Sequence, residues 1–215
     1  TQMRDLIEMV ILVAVIFLAI RLTVETHSID GPSMQPNFFT NQSVITNKLA
    51  YLFGKPQRGD VIILHPPTAP QDFYIKRLIG LPGDTITLGT NYVAVNGVRL
   101  NEPYVTTEDN CTIYVTAQLI ENAAQCKTQT ITLGPNQYWV MGDNRQVSDD
   151  SRIFGPITFQ EIVGKASFVA WPLSDIHAVN MYHGVFAHVP APKQSTGQTV
   201  VQMPLMLGTL VAVGK

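Results

Sequence analysis

Charge is scarce in this chain. Of 215 residues, only 14% are Asp, Glu, Lys or Arg, where an ordinary soluble chain carries roughly 25%. The formal net charge is -2, so there is no basic excess of the kind that binds nucleic acid, and no charge run long enough to act as a solvating tail. Cysteine is nearly absent. Cys111 and Cys126 are the only two and form no C-x-x-C pair, which argues against a zinc or thioredoxin-like site. An oxidising compartment permits a disulfide between them, closing a loop worth about 3 kcal/mol; two free thiols are the other reading. Long amphipathic helices and internal repeats are missing as well, which excludes bundles and solenoids. Nothing calls for a metal or a cofactor.

What is present begins with an apolar run. Met9 to Ile20 is unbroken by any polar residue, and Leu6 to Val24 extends it past Glu8 and Arg21. As a helix that longer stretch is roughly 28 Å long, close to the hydrocarbon thickness of a bilayer. The expectation is a transmembrane anchor over 6–24, with Glu8 and Arg21 near its ends where charge is cheapest. No clear Ala-x-Ala site follows, against a cleaved signal peptide. A buried core helix would carry a polar face.

After the anchor, strand signals dominate. Val61 to Leu64, Phe73 to Ile79, Thr85 to Leu88, Tyr138 to Met141 and Ile162 to Ala170 are short runs rich in Val, Ile, Thr and Tyr, separated by Gly and Pro. Tyr92 to Leu100 reads as a hairpin around Asn96-Gly97, a pair suited to a type I′ turn. Leu81-Pro82-Gly83-Asp84 reads as another turn. The fold class is therefore mostly β: an anchor, then a β-rich domain over 25–190. Residues 101–130, rich in Thr, Asn and Gln and holding both cysteines, read as a small inserted β subdomain. Residues 191–215 form a tail, polar from Lys193 and apolar again from Val200 to Val213.

Four clusters carry candidate chemistry. Gly31-Pro32-Ser33-Met34-Gln35-Pro36 is a loop constrained by glycine and two prolines, with Ser33 inside it. Gly31 lets a substrate backbone approach, and nearby N–H groups suit an oxyanion. Arg58-Gly59-Asp60-Val61 reads as a structural turn into a buried strand. Tyr74-Ile75-Lys76-Arg77-Leu78-Ile79 alternates so that Tyr74, Lys76 and Leu78 share one face. A lysine among apolar neighbours loses solvation, which lowers its pKa, and a neutral amine accepts a serine proton. The competing reading is a lysine whose stem packs while its head reaches water. Tyr138 to Arg145, followed by Ser148-Asp149-Asp150-Ser151-Arg152, is a strand ending in a dense polar loop.

In this order, and across residues 6 to about 170, the clusters resemble the bacterial type I signal peptidases, the serine–lysine leader peptidases. The resemblance implies that Ser33 is the nucleophile, Lys76 the general base and Ser148 the hydroxyl that hydrogen-bonds and orients the lysine. In some members a serine two places before the nucleophile adds a second oxyanion donor. Gly31 stands there in this sequence, so that donor is missing or supplied otherwise. Arg77 with Asp143, and Asp150 with Arg152, match ion pairs that brace the site. Ile29, Met34, Ile63, Tyr74 and Ile75 match positions near shallow pockets for small side chains. Asn37-Phe38 replaces the usual Thr-Leu, and Gln146 replaces a common Asp. The implied substrates are signal peptides of secretory preproteins, cut after Ala-x-Ala-like sites. The implied location is the cytoplasmic membrane, single-pass, with the catalytic domain on the extracytoplasmic side. Five histidines without a Gly-x-Ser-x-Gly elbow do not suggest a Ser–His–Asp hydrolase. The alternative from another class is a non-catalytic, membrane-anchored β-rich binding module.

Overall fold

The computed structural model describes residues 2–105 and 128–192, without the side chains at 19, 20 and 22. Helix α1 (Gln2–Thr23) carries Asp5 in its first turn and Arg21 in its last, each at the end of the helix dipole that favours its charge. Arg4 Nε donates to Glu8 one turn on, at 2.9 Å. The apolar side chains from Leu6 to Leu18 are exposed. Among the residues whose side chains are described, no helix is long and apolar enough to cross a membrane.

Eleven strands follow among the described residues: β1 (Val24–Ser28), β2 (Ser43–Asn47), β3 (Val61–Leu64), β4 (Tyr74–Gly80), β5 (Thr85–Leu88), β6 (Val93–Val95), β7 (Val98–Arg99), β8 (Gln129–Thr132), β9 (Trp139–Met141), β10 (Ile162–Trp171) and β11 (His177–Ala178). The larger sheet runs β1-β2-β10-β3-β4-β9, with β11 alongside β10; the smaller runs β7-β6-β5-β8. All the pairings are antiparallel. The expected runs at 61–64 and 85–88 are strands to the residue. The smaller sheet is assembled from 85–99 and 129–132, so it begins upstream of the 101–130 segment. Most of that segment, both cysteines and the tail from 193 lie outside the described residues.

Local chemistry explains the turns that aim these strands. Asn96 (φ 52°) and Gly97 (φ 83°) have the positive angles a type I′ hairpin needs, and Val95 pairs with Val98 across the turn. Asp84 is fully buried and accepts from the Leu81 N–H at 2.8 Å, from Asn96 Nδ2 at 2.8 Å and from both nitrogens of the Arg58 fork. Strand β3 is buried throughout and β4 at every position but Tyr74. Ile63 and Ile75 are cross-strand partners. They join Ile29, Met34, Phe38 and Val44 in one apolar cluster, while Leu78, Ile62 and Leu64 form another.

Candidate active site

Strand β1 leads straight into the serine loop. Gly31 sits at φ +91°, a conformation costly for any other residue. A Cβ there would meet nothing within 4 Å, so the space above the loop is open. The loop then folds on itself, with the Asn37 and Phe38 N–H groups donating to the Met34 carbonyl at 3.0 Å each. Met34 and Phe38 are buried and root the loop in the core. Ser33, between them and Gly31, is half-buried.

Lys76 projects from β4 toward it. Its Nζ donates to Ser33 Oγ at 2.9 Å, and the residue is only 3% exposed. Nζ also lies 5.1 Å from the Tyr74 ring centroid. Burial pulls the lysine pKa down from 10.5 to about 8; Asp150, Asp149 and Asp143 pull it up and Arg152 pulls it down, without overturning the effect of burial. A serine hydroxyl and a mostly desolvated amine in hydrogen-bonding contact have the geometry that a nucleophile and its base require.

The polar loop after β9 closes over this pair. Asp143 and Arg77, both buried, form a two-pronged ion pair at 2.8 and 2.7 Å. Desolvation holds the Asp143 carboxyl above its usual range, against the pull of Arg77. The Asn144 N–H donates to the Ser33 carbonyl at 3.0 Å, so the aspartate's neighbour anchors the backbone of Ser33. Asp150 receives two bonds from the Arg152 guanidinium, both at 2.8 Å, and one from the Gly142 N–H at 2.9 Å. Burial opposes the Asp150 charge, but Arg152 and the backbone donors outweigh it, and its pKa is lowered. A Cβ on Gly142 would lie 2.2 Å from Ser148 Oγ and 2.5 Å from the Ser33 carbonyl oxygen; only glycine fits.

One expected contact is not formed. Ser148 is buried beside this loop, but its Oγ makes no hydrogen bond, so the expected bond to Lys76 is not formed. The hydroxyl instead sits over Gly142, 2.2 Å from where a Cβ on that residue would stand. Tyr74 stands beside Lys76, its ring centroid 5.1 Å from Nζ. Ile29, Met34, Ile63 and Ile75 pack together, whereas Tyr74 packs with the cluster holding Leu78, because successive side chains of a strand point to opposite faces.

Several site residues escaped the sequence reading. Asn37 Nδ2 donates to Asp143 Oδ2 and to the Tyr104 carbonyl, both at 2.9 Å. Arg145 pairs with Glu102, which also accepts from the Tyr104 hydroxyl at 2.7 Å. Asp60, in the turn read as merely structural, accepts from Lys165 Nζ at 2.6 Å, Tyr51 Oη at 3.0 Å and the Gln57 N–H at 3.0 Å, and lies 3.0 Å from His183 Nε2. Asn37 with Asp143, Arg145 with Glu102, and Asp60 with Lys165 are distant in sequence, and no local pattern marks them.

The family model for signal peptidase, peptidase S26, matches residues 3–171. Signal peptidase IB of Staphylococcus aureus (strain Mu50 / ATCC 700699) is 33% identical over 179 residues, covering 80% of this chain and 93% of that protein. Signal peptidase I of Bacillus caldolyticus is 36% identical over 146 residues, covering 67% and 78%. A crystal structure of a signal peptidase I from Enterococcus faecalis V583 is 30% identical, covers 53% of this chain and 97% of that one, and superposes with a TM-score of 0.40. On the sequence matches, which span the serine loop, the lysine strand and the polar loop alike, the chain belongs to the signal peptidase family, peptidase S26.

Proposed function

We propose that this chain is a serine endopeptidase that removes N-terminal signal peptides from secreted preproteins after small-x-small sites, with Ser33 as nucleophile and Lys76 as general base. The observation that carries the reading is the 2.9 Å contact between Ser33 Oγ and the buried Lys76 amine. In the reactive state the amine is neutral and the serine hydroxyl donates to it. Ser33 Oγ attacks the scissile carbonyl as its proton passes to Nζ. The backbone N–H of Ser33 steadies the oxyanion. Collapse returns the proton to the leaving amine, and the acyl-enzyme remains. Lys76 then takes a proton from water, which releases the product and restores Ser33. Ser148 is assigned the role of orienting the lysine once substrate compresses the site, since catalytic hydrogen bonds often tighten only in the complex.

Substrate geometry fits the sheet. Residues 74–77 of β4 pair with β3, and β9 takes up the other edge only from Arg77 onward. Among the described strands, the opposite edge of Tyr74 to Lys76 is left unpaired, beside the nucleophile. An extended peptide can add there as a strand. Its side chains alternate, so the residue before the cut and the one two places earlier face the same side. That side carries Ile29, Ile63, Met34 and Ile75, a wall of apolar groups suited to small side chains.

Helix α1 is assigned as a single-pass membrane anchor over 6–24, with the protease domain (25–190) on the extracytoplasmic side. Its exposed apolar surface supports this. Ser33 lies ten residues beyond Thr23, so the site stands within about 35 Å of the helix end, in reach of a substrate whose own apolar segment lies in the bilayer. The test is cleavage of a preprotein with an Ala-x-Ala site by detergent-solubilised protein, beside Ser33→Ala and Lys76→Ala, with products identified by mass. Cleavage at that site by the parent, and none by two folded variants, is expected. A folded parent that leaves every preprotein intact points instead to the binding module.

A further inference from the structure

The family match ends at residue 171, but the ordered chain continues, and its continuation grips the catalytic machinery. After β11, Val179 enters the apolar cluster of Ile29 and Ile75. Val61 N–H donates to Met181 Sδ at 3.2 Å. The Met181 carbonyl oxygen would lie 2.3 Å from a Cβ on Gly59, so the segment presses directly on the turn before β3. His183 Nε2 sits 3.0 Å from Asp60. Phe186 and Val189 are buried in the cluster beneath the smaller sheet. The Pro190 carbonyl accepts from Arg58 and Asn96, each at 3.1 Å. Residues 179–190 thus form a strap across both sheets.

The first residues of the strap cover Arg77 of β4, the cation that holds Asp143. Its guanidinium is fully buried. Asp143 takes two of its N–H groups, and Nη1 donates to the Gly59 carbonyl at 3.0 Å and the Asn180 carbonyl at 3.1 Å. Its planar surface lies 4.4 Å from the Tyr104 ring centroid and 5.1 Å from that of Tyr182. Tyr182 holds this place with a left-handed backbone, φ 49°, which is uncommon for a bulky residue. Its hydroxyl is only 3.5 Å from Asn37 Oδ1, at the outer limit of a hydrogen bond. The ring, rather than the hydroxyl, is therefore what the strap supplies: an aromatic surface that attracts the cation and keeps water from it.

We propose that Tyr182, carried by a strap beyond the family-matched region, is a positioning residue for the serine–lysine pair. It acts through Arg77 on Asp143, whose neighbour Asn144 anchors the Ser33 carbonyl. With the ring gone, water reaches the ion pair, the 142–145 loop loosens, and the nucleophile loses its fixed aim at Lys76. The proposal rests on the peptidase reading for its kinetic arm alone.

The experiment compares Tyr182→Phe and Tyr182→Leu in the full, detergent-solubilised chain. Both keep a bulky side chain and the same backbone demand, but only the first keeps an aromatic surface. His188→Ala, exposed on the same strap, is the control. Expected for Tyr182→Leu are a fall of tenfold or more in kcat with KM within twofold, and faster hydrogen exchange in a peptide covering 140–147. Tyr182→Phe and His188→Ala should stay within twofold of the parent in both measurements. Equal kcat values and equal exchange for the Phe and Leu variants overturn the proposal, as does a loss in Tyr182→Phe that matches Tyr182→Leu. A parent that cleaves no preprotein refutes the peptidase reading, and the exchange arm still decides the strap.

Discussion

The pH dependence of cleavage follows from one buried amine. In the proposed mechanism only neutral Lys76 accepts the serine proton. With its pKa drawn from 10.5 to about 8, about one molecule in ten has the neutral base at pH 7, against about one in three thousand for an unperturbed lysine. Burial therefore raises the reactive fraction by roughly 300-fold, equivalent to about 3 kcal/mol. The expected profile of kcat/KM climbs about tenfold per pH unit from 6 to 7, bends near 8 and levels off above 9. The assay is initial-rate cleavage of a small-x-small peptide from pH 6 to 10, with Ser33→Ala as the blank. A profile still climbing with full slope at pH 9.5, or one flat from 6 to 9, refutes the reasoning. Removing the nearby negative charge in Asp149→Asn should move the bend to lower pH, because that carboxylate favours the charged amine.

The same shift has a stability consequence of the opposite sense. A lysine with a lowered folded-state pKa binds fewer protons folded than unfolded between pH 8 and 10.5, so stability rises with pH across that window. Below pH 8 the protein carries the full cost of charging a buried amine, about 3 kcal/mol at most. Lys76→Met removes that cost and loses the bond to Ser33, itself worth about 1 kcal/mol. The variant should be inactive yet more stable than the parent at pH 7, by about 1–2 kcal/mol, with the advantage fading toward pH 10.5. Chemical denaturation at both pH values measures it; a variant less stable at pH 7 contradicts the assigned burial cost.

Other substitutions separate support from chemistry. Gly142→Ala pushes a methyl into Ser148 and the Ser33 carbonyl, and should lower kcat by at least a hundredfold and stability by roughly 2–4 kcal/mol, read by peptide kinetics and denaturation. Ser148→Ala removes a hydroxyl that has no partner in the free protein; stability should stay within about 0.5 kcal/mol while kcat falls about tenfold or more, and an unchanged kcat removes Ser148 from the mechanism. Gly97→Ala meets open space but keeps a positive φ, so it should cost about 1 kcal/mol by thermal melting and leave kcat alone.

Strands such as β3 and β5 were legible in the sequence because they are unbroken β-branched runs closed by Gly, Pro or Asp. Strands β1, Val-Glu-Thr-His-Ser, and β2, Ser-Val-Ile-Thr-Asn, were not, because their polar residues resemble loop. They are strands because each completes another's ladder, a non-local cause. At the site, the alternation of β4 already put Tyr74 and Ile75 on opposite faces, and it was the motif resemblance that grouped them. The structure sides with the alternation for packing. Asn37 was legible only as a departure from the family pattern; its bond to Asp143 spans 106 positions. Tyr104 and Tyr182, far apart in sequence, converge on Arg77, and no sequence spacing announces that.

Arginine pairing is what lets burial decide the state of Lys76. Asp143, Asp149 and Asp150 each favour the charged amine. Two of them are answered within hydrogen-bonding distance: Asp143 by Arg77, Asp150 by Arg152. Each pair is nearly neutral seen from outside, so its carboxylate attracts the lysine weakly, and Arg152 opposes the attraction directly. The third, Asp149, is exposed, where water screens it. Burial outweighs the field that remains, and the lysine pKa falls to about 8. Removing Arg77 or Arg152 should therefore do two things at once: loosen the loop and restore charge to the base. The bend in the pH profile should move up, toward the value of a free lysine, in a folded Arg152→Met variant assayed beside the parent. A bend that stays near 8 would mean that burial alone sets the base and that the arginines only brace the loop.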